Sequence, residues 1–247
     1  MPSTPSVHEE SGEVQRILVV TAHPDDVDFG AGGTVATWTR AGIEVAYCIC
    51  TDGDAGGFDD AVPRDQMAGI RQAEQRAAAA ALGVEDVTFL GYADGRLEVS
   101  LDLRRDIARQ IRRVRPDRVV VQSPVWSFRS IYRSHPDHRA AGEAAMAAVY
   151  PDARNPYTFT ELLDEGLEAH AVPETWIMVD DVGADPVVVD VTDTIEAKLE
   201  ALRCHASQHP DVSGMEDRIR SWMAHTAETH GLGAGRFAET FSRIDTR

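Results

Sequence analysis

The 247-residue chain is long enough for one α/β domain with a substantial core. Its 24 Lys and Arg residues are outnumbered by 41 Asp and Glu residues, which gives a formal net charge of −17. A charge of this sign repels phosphate backbones and anionic lipids, so we expect neither a nucleic-acid partner nor membrane insertion. Residues 1–16 lack the basic start and apolar centre of a signal peptide, and no later segment has the composition of a membrane span. We therefore expect a cytoplasmic protein.

Apolar runs alternate with helical patterns in the first half of the chain. Residues 16–21 form a continuous apolar run, typical of a strand buried on both faces, and a helix over 30–41 and a second strand over 43–50 are predicted after it. Further strands are predicted over 87–90 and 118–121, each after a helical pattern. This alternation indicates a Rossmann-like, doubly wound α/β fold with a mostly parallel sheet and helices on both faces.

The pattern is less regular after residue 150. Two strands and two helices are predicted between residues 175 and 216, and we interpret them as a C-terminal α/β annex on the same domain. No Pro-rich or Gly/Ser-rich linker separates this part from the rest of the sequence. The predicted organisation is therefore a disordered tail over residues 1–14 and a single domain over residues 15–247.

The segment that follows the first predicted strand reads Ala-His-Pro-Asp-Asp. It places the imidazole of His23 and the carboxylates of Asp25 and Asp26 in one turn, whose shape Pro24 restricts. A metal would explain this group, because His nitrogen and Asp oxygen are ordinary zinc ligands and a cation offsets the repulsion between carboxylates. The alternative is that the two aspartates only cap the following helix.

A second polar cluster, His135-Pro-Asp-His138, follows the fourth predicted strand and opens a helix. Pro136 suits the first helical position, and the two histidines are three residues apart, so they can face one cleft. Each cluster alone is also compatible with surface residues. Both, however, follow strands of a parallel sheet, whose carboxyl ends form the ligand-binding edge of such folds. The combination predicts three metal ligands, which leaves the open position of a catalytic zinc site. These ligands are His23, Asp26 and His138.

Both motifs resemble those of the LmbE-like family of metal-dependent deacetylases, which includes the N-acetylglucosaminyl-phosphatidylinositol deacetylases. Segments 71–74, 90–97, 198–208 and 238–241 also fit the family, so the resemblance covers nearly the whole chain. It implies the same three zinc ligands as the argument from the residues.

The resemblance further implies roles for individual side chains. Asp25 is the implied general base, and His135, oriented by Asp137, would stabilise the oxyanion or protonate the departing amine. Arg71 and Asp94 match positions that contact sugar hydroxyls in relatives. Some relatives carry tyrosine two positions before the first histidine of the second motif. Here that position is Arg133, and Tyr132, one step earlier, is taken as a substrate contact.

One departure from the family pattern is visible. Many relatives carry Glu directly after the two aspartates, whereas this chain has Val27 followed by Asp28. The Glu is not among the implied metal ligands, so we interpret the change as a mark of subfamily.

The implied reaction removes an N-acetyl or other N-acyl group from a small molecule that contains an amino sugar. Zn²⁺ would lower the pKa of its water, and Asp25 would take the proton. Fe²⁺ or another divalent metal suits the same ligands. Within the family, hydrolysis of thiol conjugates or other N-acyl natural products is an alternative. A nucleotide-binding module is the non-enzyme alternative, suggested by the glycines at 30–33, although their spacing and the acidic turn before them oppose it. The sequence leaves homo-oligomer formation open.

Overall fold

The computed structural model describes residues 14–58, 62–128, 131–178 and 185–247, without the side chains of residues 132, 133 and 185. The predicted disordered tail thus lies almost entirely outside the described residues. The helices, strands and contacts of the structure all lie within these ranges.

A seven-stranded sheet forms the centre of the molecule, with strand order β3-β2-β1-β4-β5-β7-β6. The first five strands are parallel to one another, and β7 is antiparallel to both of its neighbours. The predicted mostly parallel sheet is therefore confirmed, and the C-terminal strands extend it. The strands are β1 (Arg16–Thr21), β2 (Glu44–Thr51), β3 (Asp86–Tyr92), β4 (Arg118–Val121), β5 (Glu174–Ile177), β6 (Asp185–Asp190) and β7 (Ala238–Asp245).

Seven α-helices connect or flank these strands. The first begins earlier than the sequence predicts, at Asp26 instead of residue 30, so Asp26 and Asp28 lie in its first turn. Carboxylates are favourable there because they face the positive end of the helix dipole. The helices are α1 (Asp26–Arg40), α2 (Arg64–Ala81), α3 (Leu101–Val114), α4 (Pro136–Ala147), α5 (Glu161–Asp164), α6 (Ile195–Arg203) and α7 (Val212–Thr229).

The strand β1 shows why helices cover both faces of the sheet. Its side chains alternate between the two faces, as in any strand. Ile17 and Val19 belong to one buried cluster, with apolar residues of α1, α2 and α6. Leu18 and Val20 belong to a second cluster, with apolar residues of α3 and α4. A strand that is apolar on both faces needs both layers, so the continuous apolar run predicts the three-layer architecture correctly.

The strand order reverses between β1 and β4. The chain runs from β1 through β2 to β3 on one side and then returns to place β4 on the other side of β1. Loops that follow strands on either side of such a switch point diverge and leave a crevice, where open α/β sheets bind ligands. Here the two loops are joined by a hydrogen bond, in which the Ala22 backbone N–H donates to Oε1 of Gln122 at 2.8 Å.

Candidate metal centre

The turn after β1 brings its polar residues together by a compact backbone. Asp25 adopts a left-handed conformation with φ of 90°, which few residues other than Gly, Asn and Asp adopt. Its backbone N–H donates to Oε1 of Gln75 at 2.7 Å, and its carbonyl accepts from Phe29 N–H at 3.0 Å as α1 begins. The backbone N–H of His23 donates to Oδ2 of Asp26 at 2.7 Å. The turn therefore orients His23 and Asp26 toward the same point.

The three predicted metal ligands lie side by side. Nδ1 of His23 is 3.2 Å from Nε2 of His138 and 3.3 Å from Oδ2 of Asp26. Oδ1 of Asp26 is 3.1 Å from Nε2 of His138. Ligand atoms placed tetrahedrally at zinc–ligand distances of about 2.0–2.1 Å are separated by about 3.3 Å. The spacing and chemistry of these donor atoms therefore fit a divalent metal ion.

The other ring nitrogen of His23 is held by carboxylates. Its Nε2 lies 3.0 Å from Oδ1 of Asp94 and 3.2 Å from Oδ2 of Asp137. Asp137 also accepts from the backbone N–H groups of Gly95, at 2.7 Å, and Leu97, at 3.3 Å. A histidine that binds a metal through one nitrogen commonly donates from the other to a carboxylate, which fixes its tautomer. The loop after β3 therefore orients His23, a connection that the sequence does not reveal.

These carboxylates also change the charge that His23 carries. Burial lowers the pKa of His23, but hydrogen bonds with Asp137, Asp26 and Asp94 outweigh this effect and raise the pKa to about 12. Without a metal, the cluster therefore holds a proton at His23. A metal cation at the same place would take over the neutralisation of these carboxylates.

Asp25, the predicted base, lies beside a buried arginine. Its Oδ2 accepts from Nη2 of Arg71 at 3.0 Å. Burial raises the pKa of Asp25 to about 6, although the positive charge of Arg71 acts in the opposite direction. A carboxylate with such a pKa is ionised at neutral pH and is still basic enough to accept a proton from water.

Arg71 and Asp94, predicted as sugar contacts, are both engaged within the site. The guanidinium of Arg71 donates to the carbonyl oxygens of Pro24, at 2.5 Å, and Gly53, at 3.2 Å, besides Asp25. Only 3% of Arg71 is exposed. Besides its contact to His23, the Asp94 carboxylate accepts a hydrogen bond from the Ala55 backbone N–H at 3.2 Å. The structure thus places both side chains around the turn and its base.

His135 lies at the outer side of the cluster. Its ring centroid is 4.9 Å from that of His23 and 5.0 Å from that of His138. Burial and the neighbouring histidines lower the pKa of His135, so the ring is neutral at pH 7. Asp137 orients this ring through its backbone N–H, which donates to Nδ1 at 3.2 Å, while the Asp137 carboxylate faces His23. The proton of His135 is thereby assigned to Nε2, which remains a hydrogen-bond donor.

Two further residues contribute to the site. Gln75, one helical turn after Arg71 on α2, bonds the Asp25 backbone through Oε1 and donates from Nε2 to Oδ2 of Asp28 at 2.9 Å. The same oxygen of Asp28 contacts Nε2 of His205 at 2.8 Å. Gln75 could have been predicted from the sequence, because it stands four residues after Arg71 and therefore lies on the same face of α2. Tyr132 lies in a short 3-10 helix, Ile131–Ser134, and its side chain is outside the described part of the structure.

The fold and the donor set define an α/β protein with a candidate His/Asp metal site at the carboxyl edge of a parallel sheet. The sequence model of the PIG-L family, described as GlcNAc-PI de-N-acetylase, matches residues 18–149. The chain belongs to this LmbE-like family and is a hydrolytic N-deacetylase. In the described residues, no helix combines the length and apolar character needed to cross a membrane.

Curated relatives and a solved structure agree with this membership. Diacetylchitobiose deacetylase of Thermococcus kodakarensis is 33% identical, over 83% of this chain and 74% of its own. A 1D-myo-inositol 2-acetamido-2-deoxy-alpha-D-glucopyranoside deacetylase of Rhodococcus erythropolis is 32% identical, over 80% of this chain and 82% of its own. The crystal structure of N,N'-diacetylchitobiose deacetylase from Pyrococcus horikoshii, in complex with an inhibitor, has a TM-score of 0.83 at 30% identity. This match covers 95% of this chain and 85% of the crystallised one.

Proposed function

We propose that this protein removes the N-acetyl group, or another N-acyl group, from a small molecule that contains an amino sugar, and that its metal is zinc. The observation that carries the proposal is that the donor atoms of His23, Asp26 and His138 lie 3.1–3.3 Å from one another, with Oδ2 of Asp26 facing His23 and Oδ1 facing His138. The substrate class is supported by the names of the two curated relatives, both of which describe acetylated amino sugars.

His23, Asp26 and His138 would hold the metal. When bound, a divalent cation supplies a Lewis acid for the amide carbonyl and lowers the pKa of a water molecule. Zinc suits two imidazoles and one carboxylate, and iron in its divalent state accepts the same ligands. Asp94 and Asp137 orient His23 through its second nitrogen, so we place them in support of the metal and not in contact with the reacting atoms.

The remaining residues move protons and stabilise charge. Asp25 takes a proton from the attacking water, since its carboxylate is ionised at neutral pH and is held in place by Arg71. As the amide carbonyl carbon becomes tetrahedral, negative charge develops on its oxygen, and we assign the Nε2–H of His135 to donate to it. Preorganised donors of this kind typically contribute on the order of 10²–10³ in rate. Proton delivery to the departing nitrogen then releases the carboxylic acid and the free amine. We assign this delivery to the protonated Asp25.

We also propose that residues 15–247 act as one domain. The placement of β7 between β5 and β6 supports this view, because the last strand joins the sheet that carries the candidate centre.

The proposal is tested by measuring amine release from a panel of N-acetylglucosamine derivatives, together with the metal content of the same sample. We expect about one zinc-class ion per chain and activity that a chelator removes and Zn²⁺ restores. Asp25→Asn should lower kcat by on the order of 10²–10⁴ while the metal content stays unchanged. Asp65→Asn, at an exposed carboxylate on α2, is the matched control and should retain full activity.

Two results would contradict the proposal. Full activity in a metal-free sample would remove the metal from the reaction, and unchanged kcat in Asp25→Asn would remove the assigned base. If a second panel, made of amides of thiol conjugates without an amino sugar, is hydrolysed and the first is not, the reaction class stands and the amino-sugar substrate is wrong.

A further inference from the structure

A cavity of about 590 Å³ begins at the candidate metal centre and runs away from it. Asp26 and His138 form one end of the cavity. From there it lies between the first turns of α1, the carboxyl ends of β4 and β5, and the helix α7. Asp25, His135 and Asp94 do not line it. The cavity is thus a separate space that shares two metal ligands with the reaction site.

Apolar side chains dominate the cavity walls. Phe29 comes from α1, Met178 follows β5, and Trp222 and Met223 come from α7. Gly30 leaves room for this wall, because a Cβ atom there would lie 2.7 Å from Sδ of Met178. Methionine adapts its shape to irregular apolar ligands, and tryptophan supplies a large apolar face.

Three of the polar side chains that line the cavity already bond to backbone groups of the protein. Oε1 of Gln122 accepts from Ala22 N–H, and Oγ of Ser123 accepts from Val125 N–H. Oγ1 of Thr226 donates to the carbonyl of Trp222. A sugar placed here would lose hydrogen bonds to water and find few replacements, which is costly for a hydroxyl.

The carboxylate of Glu239 also has its partners within the protein. It is paired with Lys198 at 2.6 Å and accepts from the backbone N–H groups of Gly33 and Thr34 on α1. Only 2% of Glu239 is exposed. Apart from the two metal ligands, the described lining residues therefore offer no unpaired charge to a ligand.

The size of the cavity exceeds what an acetyl group needs. Pockets for drug-sized ligands occupy about 300–1,000 Å³, and this cavity lies within that range. An acetyl group is two carbons and one oxygen, so it would fill only the end next to Asp26 and His138. The rest of the space suits a flexible apolar chain.

We propose that this cavity binds an apolar chain of the substrate, several carbons long, which is attached either as the N-acyl group or as an alkyl group on the sugar. The inference rests on the proposed function, because it places the amide at the metal centre. It goes beyond that function because it names amphiphilic amino sugars as the substrates. Their polar sugar would lie at the reaction site and their apolar chain in the cavity beside α7.

Two series of substrates distinguish the point of attachment. The first is glucosamine with N-acetyl, N-butanoyl, N-hexanoyl and N-octanoyl groups, and the second is N-acetylglucosamine with ethyl, butyl and hexyl groups on the anomeric oxygen. Each buried methylene is worth about 0.8 kcal/mol, a factor of about 4. We expect kcat/KM to rise by on the order of 10² over four methylenes in one series. A flat or falling kcat/KM in both series would overturn the inference.

A substitution in the cavity wall tests whether the apolar chain of the substrate binds in this cavity. Thr226→Phe fills the cavity from α7 and should abolish the dependence of kcat/KM on chain length. His225→Phe, at the adjacent exposed position, is the control and should retain both the dependence and the rate on acetylated substrate. If chain-length dependence survives in a folded Thr226→Phe protein, the chain binds elsewhere and the inference fails.

Binding without turnover separates this inference from the proposed function. Hexanoate and hexyl β-glucoside are not hydrolysed by an amidase, and calorimetry gives their Kd values against those of acetate and glucose. We expect at least one of them to bind at least 10-fold more tightly than its short counterpart, and Thr226→Phe to remove the difference. If no amide is hydrolysed but this difference is present, only the proposed function fails. Equal Kd values for long and short probes overturn the cavity assignment even if amides are hydrolysed.

Discussion

Nε2 of His205 lies 2.8 Å from Oδ2 of Asp28, and neither side chain is exposed to solvent. Burial lowers the pKa of His205, but the hydrogen bond with Asp28 outweighs it, so the net shift is upward. Asp28 is the residue that follows Val27 in the segment where this chain departs from many relatives. Its carboxylate joins His205 to Gln75, which in turn holds the backbone of Asp25. The departure thus concerns the residues that support Asp25, the proposed base, and leaves the proposed metal ligands unchanged.

The first prediction is that Asp28→Asn destabilises the protein by about 1.5–3 kcal/mol near pH 6, the usual worth of a hydrogen bond to a charged group. Because the pKa of His205 is higher in the folded state, the added stability is complete below the unfolded pKa of about 6.5. It is lost as pH rises through the folded pKa. Urea unfolding from pH 5.5 to 9 measures the difference, which should shrink with rising pH.

Asp217→Asn is the control for this experiment, since Asp217 is exposed on α7. It should change the free energy of unfolding by less than about 0.5 kcal/mol at every pH. A difference between wild type and Asp28→Asn that grows with pH would contradict the assigned charge of His205.

The second prediction concerns the proton held at His23. Because its pKa is about 12 in the metal-free protein, His23 carries a proton at pH 8, and a metal must displace it. Zn²⁺ binding at pH 8 should release about one proton per chain, and the apparent affinity should fall as pH falls. Calorimetry in buffers with different ionisation enthalpies counts the protons. Binding without proton release would show that the metal does not use Nδ1 of His23.

The third prediction uses the contact between Arg71 and Asp25. The base must be ionised, so activity falls as pH drops through the pKa of Asp25, which lies at about 6 or lower once a metal adds positive charge. Arg71→Gln removes a neighbouring cation and should move this acidic limb of kcat/KM to higher pH, by about 1–3 units. Rates between pH 4 and 9 measure the shift.

Arg76→Gln, at an exposed arginine on the same helix, is the matched control and should leave the acidic limb in place. A limb that moves to lower pH in Arg71→Gln would show that a group other than Asp25 controls the rate.

The fourth prediction concerns the buried pair of Lys198 and Glu239. Lys198 also donates to the carbonyl of Phe29 on α1 at 2.6 Å. Lys198→Met leaves the buried carboxylate of Glu239 without its cation. This change should lower the free energy of unfolding by about 3–5 kcal/mol. The double change Lys198→Met with Glu239→Gln should recover most of this loss, because Gln can still accept from Gly33 N–H. Guanidinium unfolding of the single and double variants checks the difference, and equal losses would contradict it.

The parallel half of the sheet and the proximity of the three proposed metal ligands could be predicted because their signals are local. Continuous apolar runs require two covering layers, and His23, Asp26 and His138 stand directly after strands whose carboxyl ends share one edge. The sequence predicts the start of α1 four residues too late, since the glycines within 30–33 obscure the helical pattern that begins at Asp26.

The contacts around the ligands could not be predicted because they join residues far apart in sequence. The carboxylate of Asp137 faces His23, 114 positions away, and His205 reaches Asp28 across 177 positions. Contacts between residues so far apart in sequence depend on how the loops pack in the folded protein, and composition and spacing carry no information about that packing. Arg71 shows the same limit, because its hydrogen bond to Asp25 joins residues 46 positions apart, and the sugar contact expected of it stays a prediction.

The place of β7 in the sheet has a consequence for how the protein is made. It is an interior strand, yet it consists of residues 238–245, which leave the ribosome after every other element. Until Glu239 has been synthesised, Lys198 lacks its carboxylate partner and α1 lacks the acceptor for the backbone N–H groups of Gly33 and Thr34. During synthesis, the edges of β5 and β6 that β7 later joins therefore stay unpaired, and the helix that carries Asp26 gains its contacts to Glu239 only after that residue has been added.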